Sequence, residues 1–276
     1  MRSVRGRLTR ATGAAALCLA LWGPAAAQAA VSAARLSEGA TLSSPVDGAF
    51  HDIGREGLTI EGWFYLEELP DVGEVQTLLA NPSKYAVGVG IAGAFGSLSS
   101  DQGWWTTSRS IVGRGDRPGP PVKEWFHMGW QFHATPPDVA WLHVHEHTAT
   151  LDGVARFPWT LADGDGALYI ATPKLGQRGF HLGPGVDISG FRGLVDEVRV
   201  SSIRRYMGRG SVHPRHFRPD RHTVALWTFD GDHPYADSSG NGHHLIHTGT
   251  ITVGPLAVEA RGKLATTWAQ LKGAGQ

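Results

Sequence analysis

Three groups of residues have the type and spacing to do chemistry. In "VAWLHVHEH", residues 139–147, His143, His145 and His147 stand at i, i+2 and i+4. On a strand that spacing puts all three on one face. Two imidazoles spaced H-x-H bind zinc or copper when the site is enclosed. A solvated, His-rich outer sheet face accounts for the same pattern: a flat exposed face gives no enclosure, and no acidic residue is positioned to orient the rings. Trp104 and Trp105 form the second group. Neighbours on a strand face opposite ways, so one is expected in the core and the other outside. An exposed indole stacks on the C–H face of a sugar ring, which makes the pair a candidate ligand-binding platform. Packing of both beneath the following Gly/Pro loop is the alternative. The third group centres on Asp196 in "GLVDEVRV". Simple alternation places it with Leu194, Val198 and Val200, and opposite in direction to Glu197 and Arg199. A carboxylate on an apolar face must be paired or hydrogen-bonded. Backbone N–H groups of a loop are one solution. A structural Ca²⁺ shared with Asp230, Asp237 and Asn241 is the other, since calcium takes several hard oxygens.

Strands are the elements that must position these groups. Asp152-Gly153, Asp163-Gly164, Asp230-Gly231 and Asn241-Gly242 are turn signals. Between such turns lie short β-rich runs near 58–66, 76–80, 85–91, 104–112, 125–133, 139–147, 166–171, 194–200 and 223–229. No stretch shows capped helical periodicity until the tail, where Leu264, Trp268 and Leu271 are compatible with a short helix or docking strand. Many short strands with turn chemistry indicate an all-β, two-sheet sandwich or barrel. One register can be derived. Pairing Phe132 with Ala140 sets Trp130 on Leu142 and Met128 on Val144, so every pair on one face is apolar. The opposite face then brings His127 across from His145.

The N-terminal 29 residues carry Arg2, Arg5, Arg7 and Arg10, an apolar run near 14–22, and "AQA" at 27–29. These are the parts of a secretory signal peptide. The mature chain is then expected to be exported, secreted or periplasmic or at the cell surface, with no transmembrane segment. It has 21 basic and 25 acidic residues, a net charge of −4 with histidine neutral. That balance argues against nucleic acid as partner. Cys18, the single cysteine, leaves with the leader. Stability must come from a core or a metal.

Several segments together resemble LamG-like jelly-roll domains of the concanavalin A-like superfamily. They are "LTIEGWFYL", "EWFHMGWQFH", "TATLDGVA", "GALYIA", "GFRGLVDEVRVS" and "ALWTFDGDHPYADSSGNGHHL", covering about residues 31–250. The resemblance implies an antiparallel jelly-roll sandwich over 30–254. It implies a lectin-like, non-catalytic module that binds glycan or another cell-surface macromolecule, and often a structural calcium. A structural or adhesion role in the cell envelope without a small ligand is the alternative, and a carbohydrate-active enzyme is the third reading. In the family the "W-x-F-D…D-S-S-G-N-G" segment opens the domain, whereas here it follows "DEVRV". About 28 residues cannot bury a core alone, so residues 222–254 are expected to close this sandwich rather than begin another. The related laminarinase-type hydrolases need an E-x-D-x-x-E strand, which places two carboxylates on one face. In "VDEVR" the adjacent Asp196 and Glu197 point apart, so no catalytic residue is assigned.

Overall fold

Leu58–Leu66 alternates so that Leu58, Ile60, Phe64 and Leu66 are buried in the main core, while Thr59, Glu61, Trp63 and Tyr65 point the other way. A central strand with both faces covered results, and the rest of the fold is arranged around it. The computed structural model describes residues 32–45, 57–82, 84–91, 93–100, 103–110, 120–133, 138–145, 153–157, 166–172, 186–206 and 213–255. The signal-peptide expectation, His147 and the tail beyond Pro255 lie outside them.

In chain order the strands are β1 Ser32–Leu36, β2 Thr41–Ser43, β3 Leu58–Leu66, β4 Glu74–Asn81, β5 Tyr85–Gly90, β6 Gly93–Ser100, β7 Gly103–Ser110 and β8 Trp125–His133. They continue with β9 Asp138–His145, β10 Gly153–Phe157, β11 Tyr169–Ile170, β12 Asp187–Gly190, β13 Gly193–Ser201, β14 Thr223–Trp227, β15 Ile246–Thr248 and β16 Ile251–Pro255. The described residues contain no helix. Two eight-stranded sheets face one another. The first runs β10-β9-β8-β3-β13-β1-β16, with β14 also on β13; the second runs β15-β2-β11-β4-β5-β6-β7, with β12 on β4. All pairings are antiparallel except β12 with β4. The expected antiparallel two-sheet sandwich is therefore the observed fold class.

The core between the sheets holds Phe64, Phe126, Met128, Trp130, Phe132, Tyr85 and Trp227. Trp130 reaches across it. A Cβ placed on Gly96 of β6 would stand 2.4 Å from the Trp130 ring, so the glycine makes room for the indole. Strands β8 and β9 pair in the register derived from alternation: Phe132 on Ala140, Trp130 on Leu142, Met128 on Val144 and His127 on His145.

Residues 223–255 contribute to both layers. β14 pairs with β13, β15 with β2, and β16 with β1. Trp227 is fully buried in the core, and its Nε1–H donates to the His243 carbonyl at 2.8 Å. Strands β1 and β14 lie end to end along one edge of β13: β14 pairs with residues 198–201 and β1 with 193–195. Asp230, just past β14, bridges the junction by accepting from the Ser32 N–H at 2.8 Å.

Strand β13 does not follow simple alternation. Its pairing with β3 shifts between Asp196 and Arg199, with Asp196 opposite Trp63 and Arg199 opposite Glu61. Glu197 sits at φ 53°, within this β-bulge. One extra residue reverses the parity of everything before it. Val195, Val198 and Val200 face the core, and Leu194 does not belong to it. The expected grouping of Asp196 with Leu194, Val198 and Val200 is thereby corrected. Asp196 is wholly buried, but one residue out of step with the apolar set.

Candidate functional site

The outer face of the first sheet carries Glu61 and Trp63 from β3, His127 and Gln131 from β8, His143 from β9 and Arg199 from β13. All six are buried. This overturns the expectation of a solvated histidine face. What covers it is the chain after β13, residues 202–206 and 213–220, which crosses back over the sheet as a strap. Backbone polar groups of this irregular segment need partners, and the sheet supplies them. Gln131 donates from Nε2 to the Tyr206 carbonyl at 2.7 Å and accepts from the Tyr206 N–H at 3.1 Å. Thr59 donates to the Ile203 carbonyl at 2.7 Å and accepts from the Arg205 N–H at 3.2 Å. Trp63 Nε1–H donates to the Pro214 carbonyl at 3.3 Å. The Phe217 N–H donates to Glu197 Oε2 at 2.9 Å, so the bulge residue also holds the strap. Trp63, Phe217 and Leu226 form a small apolar cluster beneath it.

Glu61 is the centre of the covered face. Arg199 donates to Oε1 from Nε at 2.9 Å and from its terminal nitrogen at 2.7 Å. His127 Nε2 lies 3.0 Å from Oε2, and the Tyr206 hydroxyl donates to the same oxygen. Burial alone would raise the Glu61 pKa, but the His127 hydrogen bond and the Arg199 charge outweigh it and bring it to about 2. The carboxylate is ionised. Burial, and then the Glu61 charge, push the Tyr206 hydroxyl well above its usual value, so it stays a donor. Burial, and then the neighbouring His127, lower the His143 pKa to about 4 and keep that ring neutral near pH 7. His213, from the strap, stacks on His127 with centroids 4.1 Å apart and planes 20° from parallel. It also meets Tyr206 at 4.3 Å and His143 at 5.5 Å. Donor atoms of Glu61, His127 and His213 all lie within 4.8 Å of one another. Tyr206 and His213 were missed in the sequence because they lie in an Arg- and Pro-rich stretch that reads as a loop. Three aromatic residues spaced along that loop, Tyr206, His213 and Phe217, were the signal that it packs on something.

The remaining sequence candidates lie elsewhere. Trp104 and Trp105 are on β7, the edge strand of the second sheet, opposite Ser99 and Leu98; their side chains are outside the described part, as is that of His145. Asp237 is surrounded by donors. Its Oδ1 accepts from the N–H groups of Leu226 and Ser239, and its Oδ2 from the His243 N–H and the Ser239 hydroxyl, all at 2.8–3.0 Å. Burial would raise its pKa, but these bonds lower it. Asn241 donates to the carbonyls of Thr223 and Val224, both at 2.9 Å. The "DSSGNG" turn thus brings Asp237 and Asn241 together as a clamp on β14, while Asp230 serves the β1 junction and Asp196 lies within β13.

Beside that turn is an open hollow of about 500 Å³, lined by residues 232–236 with His244 and Leu245. Tyr235 forms part of its wall, with the His247 ring 5.2 Å away at 33°. Asp232, His233 and His244 are exposed around it.

No family model matches this chain, and no curated protein matches it. Among solved structures, mouse laminin α1 chain domains LG4-5 share 14% identity at a TM-score of 0.44, over 67% of this chain and 45% of that one. A binding domain of botulinum neurotoxin DC, in complex with SialylT, shares 8% identity at a TM-score of 0.37, over 63% of this chain and 39% of that one. The chain spans less than half of either structure.

Proposed function

We propose that this chain is an exported, non-catalytic binding module that recognises a glycan or another surface macromolecule. The Tyr235 hollow supports the reading best. It is solvent-facing and offers an aromatic wall beside imidazoles and the Asp232 carboxylate. An apolar ring face with hydrogen-bonding groups at its rim matches a sugar, which is itself apolar on its C–H face and polar at its edge. The polar centre at Glu61 supports the non-catalytic part. A general acid or nucleophile must reach a substrate, whereas Glu61 is sealed and its oxygens are engaged by Arg199, His127 and Tyr206. Trp104 and Trp105 remain a second proposed contact, on β7 at the far edge of the second sheet from β15. A structural calcium drawing on one or more of Asp196, Asp230, Asp237 and Asn241 remains a proposal. Among the described residues no helix is long and apolar enough to cross a membrane.

The test is a broad glycan array probed with the mature chain, with and without calcium. Binding that Tyr235→Ala abolishes while the fold persists supports the hollow. Binding lost instead in Trp104→Ala or Trp105→Ala moves the site to β7. No binding under either condition favours the structural or adhesion role.

A further inference from the structure

The covered histidine face reverses both objections that the bare sequence raised against a metal. Enclosure was missing, and the strap supplies it. An acidic partner was missing, and Glu61 stands against His127. We propose that Glu61, His127 and His213 form a site for one divalent transition-metal ion of the zinc class, held between the first sheet and its strap.

The geometry carries the argument. Ligand atoms about 2.0–2.1 Å from a tetrahedral zinc stand roughly 3.3 Å apart. His127 Nε2 and Glu61 Oε2 are 3.0 Å apart, close to one edge of that tetrahedron. Ligation replaces the hydrogen bond between them. The third donor, on His213, already lies within 4.8 Å of both. It closes the site once its ring turns off the His127 face on which it stacks. Arg199 stays on the other carboxylate oxygen and orients it, as outer partners of ligating carboxylates do. His143 supplies a further imidazole nearby, with its ring 5.5 Å from that of His213.

The donor set selects the ion. Two imidazoles and one carboxylate suit zinc, with copper and nickel as competitors, whereas calcium and magnesium take oxygen. His213 comes from the strap and the other two ligands from the sheet. An ion here would therefore tie the strap down without a disulfide, in a sequence whose single cysteine is Cys18.

The experiment uses the untagged mature chain, stripped with chelator and titrated with zinc chloride by calorimetry and by thermal melt. One ion per chain and a raised Tm are expected. Cobalt(II) in place of zinc is expected to give the visible absorption of a tetrahedral nitrogen–oxygen site. His213→Phe keeps the stacked ring and removes the donor. It is expected to weaken zinc by at least about 100-fold, more than the roughly 10–100-fold loss from an outer partner, with an unchanged circular dichroism spectrum. His127→Phe gives a second reading on the sheet side. The proposal is overturned if the folded wild type takes up no stoichiometric zinc. It is equally overturned if both variants bind as tightly as wild type, which would assign the ion to surface histidines.

Discussion

Gly96→Ala isolates one close contact between the two sheets. The added methyl would stand 2.4, 2.6 and 2.7 Å from three atoms of the six-membered ring of Trp130. Ordinary carbon contacts are about 3.5–4.0 Å, so the overlap exceeds roughly 1 Å. Trp130 cannot retreat, because it is fully buried on a central strand and paired with Ile60 and Leu142. Overpacking of this kind costs about 1–3 kcal/mol, and the upper end applies to a rigid ring. Removing a strand glycine returns about 0.5–1 kcal/mol. The net is a loss of about 2 kcal/mol, or roughly 4–8 °C in Tm for a domain of this size. Gly254→Ala is the control, since nothing lies within 4 Å of its added methyl and its Tm should be unchanged or slightly raised. Urea melts of Gly96→Ala, Trp130→Leu and the double variant form a cycle. In the Trp130→Leu background the alanine should cost almost nothing. Strict additivity of the two single losses would refute the claim that these two residues set the inter-sheet contact.

Two further outcomes follow from the polar contacts. Glu61→Gln, measured with chelator present, leaves the Arg199 guanidinium buried without its countercharge; about 3–5 kcal/mol of stability should be lost in a denaturant melt, and a loss below about 1 kcal/mol would show that the strap is not anchored there. Asp237 has a folded pKa below its unfolded value of about 3.9. It therefore stabilises the fold fully above that pH, and the contribution fades as the pH drops through the folded value. Asp237→Asn should be less stable at pH 7 but show a flatter decline below about pH 4, and parallel acid limbs for the two proteins would contradict the clamp.

The parts of the fold legible in the sequence are those where side-chain type and strand period agree. Strands β3 and β8 were placed to the residue, and the β8–β9 register followed from three apolar pairs. Strand β6, "GAFGSLSS", escaped notice because its glycines and serines read as loop, although one of those glycines is there to admit Trp130. The bulge at Glu197 was invisible for a different reason. A single positive φ leaves no mark on composition, yet it moved Asp196 out of the apolar set. The candidate centre was half legible. His127 and His143 could be assigned to one face, but a face is only a surface until something covers it. The cover came from residues distant in sequence and held by side-chain-to-backbone bonds, which no periodicity records.

The meeting of β1 and β16 has a topological consequence. Ser32 lies directly opposite Pro255, so the two ends of the described body leave it from neighbouring strands at one corner. A short peptide joining those positions would close the backbone into a ring, and new ends could then be opened at a surface turn without disturbing either sheet. By the same geometry the whole body is suited to being spliced, as a cassette, into an exposed loop of a host protein, where it would project from a single attachment point.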